Sequence, residues 1–195
     1  MTWAGIIGAT GATDCDDIAS DRVGNIYLAC HSLANDFPGV PPRSSDRRDF
    51  DGYLAKLNGK TGKLIYSVRL GGTDYDDAIR VRLDEKGNAY VTGFTKSRDF
   101  QTTLNGFQRT FGGGDTDAFL AKVDPQGNLV YCTYFGGTGD DLGDALVLDG
   151  KGKVYMGGVW NEDGFVAVFE LAKRFDPKVI RFGGKSEEKL TGLCH

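Results

Sequence analysis

The chain has 195 residues and a formal net charge of −4, with a pI near 5.2; that balance argues against nucleic acid or an anionic membrane as partner, since either wants a basic face. Hydrophobic residues make up 40% and charged residues 26%, a globular rather than disordered balance, and no apolar run reaches the roughly 18 residues that span a bilayer. The 29 glycines stand against only 5 prolines and fall in short groups between apolar runs, which is how many tight turns look.

Taken in chain order, the opening Met1-Thr2-Trp3-Ala4-Gly5-Ile6-Ile7 has neither the basic start nor the long apolar stretch of a signal peptide. Residues 3–7 align instead with 66–70, the closing strand of a later unit. Two correlated blocks then recur. Gly71-Gly72-Thr73 returns as Gly136-Gly137-Thr138, and Asp84-Glu85-Lys86-Gly87 as Asp149-Gly150-Lys151-Gly152, both 65 residues on. The same turn appears earlier as Asp21-Arg22-Val23-Gly24, and Asp51-Gly52-Tyr53-Leu54-Ala55-Lys56-Leu57 matches Asp117-Ala118-Phe119-Leu120-Ala121-Lys122-Val123. A repeat of this kind decides the fold before any single residue does.

Each unit reads as two hairpins. Ile79-Arg80-Val81-Arg82-Leu83 alternates as a half-buried strand, turns at Asp84 to Gly87, and returns through Asn88-Ala89-Tyr90-Val91-Thr92. Asp opens the turn by bonding its backbone, and glycine closes it in the left-handed region; Gly24, Gly87 and Gly127 are expected at positive φ. The second hairpin turns at Asp124-Pro125-Gln126-Gly127, or near 58–62 in the preceding unit. Polar insertions at 32–50 and 96–115 separate the hairpins, each with an Asp-Phe pair (Asp36-Phe37, Asp99-Phe100). The third unit lacks the insertion and passes through Asn161-Glu162-Asp163-Gly164. Four short antiparallel strands per repeat make a propeller blade.

The strings Tyr134-Phe135-Gly136-Gly137-Thr138-Gly139-Asp140-Asp141, Asp84-x-x-Gly87-Asn88-Ala89-Tyr90-Val91-Thr92-Gly93 and Phe107-Gln108 before Gly112-Gly113-Gly114-Asp115-x-Asp117-Ala118-Phe119 resemble the bacterial SBBP β-propeller repeat, best over 64–160. The resemblance implies four-stranded blades and an extracellular or cell-envelope setting; it brings no catalytic residue and no ligand. The expected fold is an all-β propeller arc in a single domain. It comprises an orphan strand at 3–7, blades at 14–70, 77–135 and 144–182, and the start of a further unit at 183–195. Propellers need about four to eight blades to close, so missing blades or a protein partner are expected to complete the ring.

Acidic residues gather where each unit begins: Asp14, Asp16 and Asp17; Asp74, Asp76 and Asp77; Asp140, Asp141 and Asp144. A ring of such carboxylates is a candidate Ca²⁺ site, with Asp76, Asp77, Asp140 and Asp141 as ligands; turn capping is the plainer role. Arg43, Arg47 and Arg48 beside Pro41-Pro42 form a candidate protein contact or a solvated loop. Trp160 and Phe165 are candidates for an exposed aromatic platform or for the core. Cys15 and Cys30 are expected opposite each other about the Asp21–Gly24 turn, with Cys132 and Cys194 unpaired. Only His31 and His195 supply imidazole, and no Gly-x-Ser-x-Gly elbow occurs. A noncatalytic interaction or structural module, without a cofactor unless calcium, is therefore expected. The alternatives are a lyase- or glycosidase-like enzyme at the channel mouth, or a carbohydrate-binding propeller.

Overall fold

Four aspartates begin the hairpin turns, and each binds its turn from within. The amides of Lys86 and Asn88 both donate to Asp84 Oδ1 at 2.9 Å, and Asp21, Asp124 and Asp149 receive the equivalent amides. Gly24, Gly87 and Gly127 leave these turns at φ of 88°, 78° and 92°, as expected from their place in the repeat. A computed structural model describes residues 4–5, 7–8, 10–42, 49–171 and 177–183. Among these there is no helix.

Among the described residues twelve strands form three four-stranded sheets. The first holds β1 (Thr13–Ser20), β2 (Ile26–Ser32), β3 (Asp51–Leu57) and β4 (Leu64–Leu70). The second holds β5 (Asp76–Leu83), β6 (Ala89–Thr95), β7 (Asp117–Val123) and β8 (Leu129–Phe135). The third holds β9 (Asp141–Leu148), β10 (Val154–Trp160), β11 (Asp163–Phe169) and β12 (Lys178–Phe182). Strands pair antiparallel with their sequence neighbours throughout. The described residues thus form an unclosed arc of three propeller blades. The third blade begins at Asp141 rather than 144, because Asp141, Leu142 and Gly143 pair with Trp160, Val159 and Gly158 before the strand bulges.

The first strand of each blade carries the same bulge, at Asp16, Ile79 and near Asp144. Beside the bulge, Ala78 faces Gly93 and Gly143 faces Gly158. A Cβ on Gly93 would lie 1.8 Å from the Asp77 carbonyl, and one on Gly158 1.8 Å from that of Leu142, so glycine is required there. The first blade places Cys15 opposite Cys30 at this point and joins them by a disulfide. Cys132 on the outer β8 is buried and free, and Cys194 lies outside the described residues.

The core lies between blades. Tyr27, Leu54 and Leu70 of the first blade pack with Val81, Val91 and Phe119 of the second. Leu120 and Phe135 of the second pack with Leu146, Met156 and Phe165 of the third. Register makes Ile18, Val81 and Leu146 equivalent, each paired to its neighbour in the second strand. Val81 and Leu146 are 0% and 1% exposed, but Ile18 is 63% exposed. At the opposite end, Leu70, Phe135 and Phe182 are equivalent; the first two are 0% exposed and Phe182 is 59% exposed.

Of the N-terminal strand expected at 3–7, Ala4, Gly5 and Ile7 are described and lie in no strand. Ile7 packs against Phe37, Tyr53 and Ala55 on the face of the first blade that carries Ile18, since Ile18 pairs with Leu28 and Leu28 with Ala55. The remainder of that strand lies outside the described residues, as does the further unit beyond Gly183.

Candidate functional site

The connections between blades place their acids in two different settings. Asp76 is fully buried and binds the crossover from inside. The Gly72 amide and the Ser97 hydroxyl donate to its Oδ2 at 2.7 and 2.8 Å, and the Thr95 hydroxyl donates to Oδ1. Asp141 repeats this arrangement: the Gly137 amide donates at 2.6 Å and the Asn161 amide at 3.1 Å. Burial pushes the Asp76 carboxyl up to about 7, with the Asp51 charge adding to the effect. Burial likewise raises Asp141 to about 6. Asp140 accepts the Asp115 amide at 2.6 Å.

Asp77 is held differently. Its Oδ1 lies 3.1 Å from His31 Nδ1, and Asp16 Oδ2 lies 3.2 Å from that same nitrogen. The three ligand atoms of Asp16, His31 and Asp77 all lie within 4.8 Å of one another. The cluster bridges two blades, with Asp16 and His31 from β1 and β2 and Asp77 from β5. It is partly sheltered, the side chains of His31, Asp16 and Asp77 being 16%, 35% and 10% exposed. Phe50 meets the imidazole edge-on with ring centroids 4.9 Å apart, and Tyr75 stands at 6.3 Å. Burial raises the Asp77 carboxyl; Asp16 adds to the rise and His31 opposes it. Burial, then the Asp77 and Asp16 charges, raises the Tyr75 phenol.

The four carboxylates expected as calcium ligands are not gathered into one cluster among the described residues. Asp76 and Asp141 serve as caps in separate crossovers, and Asp77 turns to His31. The partners Asp16 and His31 were missed because they meet Asp77 only across a blade junction. The available signal was the Cys15–Cys30 register, which sets Asp14 opposite His31 at the end of the strand that adjoins the next unit.

Trp160 and Phe165 correct the aromatic-platform alternative. They are 5% and 2% exposed and meet Phe135 with ring centroids 5.0 and 5.2 Å apart. Strand alternation points them toward the second blade, not into solvent. Arg43, Arg47 and Arg48 lie outside the described residues. Of the two histidines only His31 is described.

Residues 2–38, from the expected N-terminal strand through the first hairpin of the first blade, match the SBBP β-propeller repeat family. Blades two and three repeat the turn, bulge and register of that hairpin. A search of curated proteins finds no match to the chain.

Proposed function

We propose that the chain is a noncatalytic β-propeller interaction or structural module, a segment or subunit of a larger ring completed by protein. One observation carries this reading: Ile18 and Phe182 are exposed at the arc's two ends, while their repeat equivalents are buried at both internal junctions. Val147, Val159 and Ile180 add to the apolar surface of the third blade at 58%, 39% and 57% exposure. Val159, Ile180 and Phe182 share one face by register; exposed apolar side chains grouped on a blade face mark an association site, and repeat stability comes largely from interfaces between units. The partner is thus protein that presents another blade face.

A noncatalytic role is supported by the way the buried carboxylates are used. Asp76 and Asp141 are bound by amides and hydroxyls of their own turns, so they are not free to converge on a substrate as acid and base. The Cys15–Cys30 disulfide supports an oxidising setting, extracellular or in the cell envelope.

The test is light scattering of residues 1–195 across a concentration series, with thermal melting. Self-association or aggregation is expected, reduced in an Ile18→Ser/Phe182→Ser double variant that keeps the wild-type circular dichroism. A soluble wild-type monomer with one cooperative transition would overturn the reading.

A further inference from the structure

We propose that Asp16, His31 and Asp77 form a binding site for one divalent transition-metal cation of the zinc class, at the junction of the first and second blades. The repeat supplies an internal control. Register makes Ile79 equivalent to Asp16, Phe94 to His31, and Leu142 to Asp77. The second junction therefore carries Ile, Phe and Leu where the first carries Asp, His and Asp, and the fold builds this corner with apolar side chains alone. Charged groups at a sheltered junction bear a desolvation cost, and apolar replacements are often neutral or stabilising. Their presence at one junction alone points to a ligand that only they can bind.

The geometry suits a cation. One imidazole nitrogen carries at most one hydrogen, yet His31 Nδ1 faces two carboxylate oxygens, at 3.1 and 3.2 Å. A single proton cannot lie along both directions. A cation about 2.1 Å from Nδ1 and from a carboxylate oxygen would give each of these two separations at a nitrogen–metal–oxygen angle of about 100°, between octahedral and tetrahedral values. The nitrogen donor selects the class: imidazole suits zinc, cobalt, nickel or copper, while calcium prefers an all-oxygen shell. Two carboxylates and a neutral imidazole would leave the bound ion near neutrality. Three protein ligands leave at least one position for water or an outside donor, as in open rather than closed zinc sites. Phe50 and Tyr75 fix the imidazole from the side.

The experiment titrates the full chain with Co²⁺ and then Zn²⁺, and compares a triple variant, Asp16→Ile/His31→Phe/Asp77→Leu, that copies the second junction. Wild type is expected to take up one equivalent of Co²⁺ with a visible d–d absorption that Zn²⁺ abolishes, and Zn²⁺ should raise its melting midpoint. The triple variant is expected to bind one equivalent fewer and to melt, without metal, no lower than wild type. Should the triple variant fail to fold, His31→Gln and Asp77→Asn singly are each expected to weaken binding at least tenfold. The proposal is overturned if wild type shows no stoichiometric uptake below millimolar metal, if the variants bind as many equivalents as tightly, or if Ca²⁺ competes as well as Zn²⁺. Metal stoichiometry and its loss in the variants do not depend on whether the arc associates into a ring; the melting midpoints are compared at one protein concentration, because association shifts them.

Discussion

Asp76, Asp117 and Asp141 share a physical condition: burial raises their carboxyls to about 7, 7 and 6, against about 3.9 in an unfolded chain. The folded protein then binds more protons than the unfolded one over that window. Their stabilising contribution is full below about pH 4 and is lost as pH rises through 6–7. The melting midpoint is therefore expected to be higher at pH 5 than at pH 8. Asp124 and Asp149 act in the opposite sense. Hydrogen bonds from Asn128 and from the Lys153 amide hold them below the ordinary carboxylate value, so their contribution is lost in stronger acid and the midpoint falls again below about pH 4. Asp76→Asn keeps an acceptor for the Gly72 amide and removes one buried titration, so it should flatten the pH 5–8 slope; an unchanged slope would show that Asp76 is ionised throughout. At Gly87, a new Cβ would meet only Pro125 Cγ at 3.7 Å, an ordinary contact. The cost of Gly87→Ala is then conformational, about 1 kcal/mol or more at a φ of 78°, readable in the denaturation midpoint.

At the scale of the element, the first and third blades solve the same problems with different chemistry. The bulge that demands glycine opposite it in the second and third blades is fastened by the Cys15–Cys30 disulfide in the first. A loop of this size should be worth about 2–3 kcal/mol through the unfolded chain, so Cys15→Ala/Cys30→Ala is expected to lower stability by that order while the blade interfaces persist. The third blade replaces a long insertion with a two-residue turn in which Asn161 and Glu162 stand at φ of 46° and 73°. Asparagine adopts this conformation at lower cost than glutamate. Glu162→Gly is expected to raise stability by about 1 kcal/mol, and a loss in the melting midpoint would contradict the turn's assignment as the strained point.

Across the whole molecule, blades are bound through aromatic and aliphatic layers with ion pairs beside them. Arg82 reaches Asp17 at 2.6 Å across the first junction, and Arg80 reaches Asp144 at 3.1 Å across the second. The Arg80–Asp144 pair, 32% and 54% exposed, contributes little beside the buried layers, whereas Asp17 is 19% exposed and also accepts the Val81 amide at 3.0 Å. Replacing Phe135, which touches Trp160, Phe165 and Phe169, tests that balance. Phe135→Ala is expected to cost about 3–5 kcal/mol, and Arg80→Ala less than about 1 kcal/mol. Denaturation of the two variants side by side checks the ranking.

The repeat itself settled the architecture. Asp-x-x-Gly-Asn turns, alternating strands and a fixed spacing are local, and local bonds made within a few residues build each hairpin, so blades and turn glycines were legible in sequence; equal arms about the Asp21–Gly24 turn anticipated the Cys15–Cys30 pairing, but the bulge at Asp16 is what brings the two into register. The junctions were not. Whether Trp160 faces solvent or Phe135, and whether Asp77 joins Asp76 or His31, depends on which face of one blade meets the next. A one-residue bulge in each inner strand changes that facing, and nothing in the local pattern of Asp14-Cys15-Asp16-Asp17 marks which residue bulges. The tertiary structure alone decided that Asp16 is the extra residue, and so brought two carboxylates from different blades onto one imidazole.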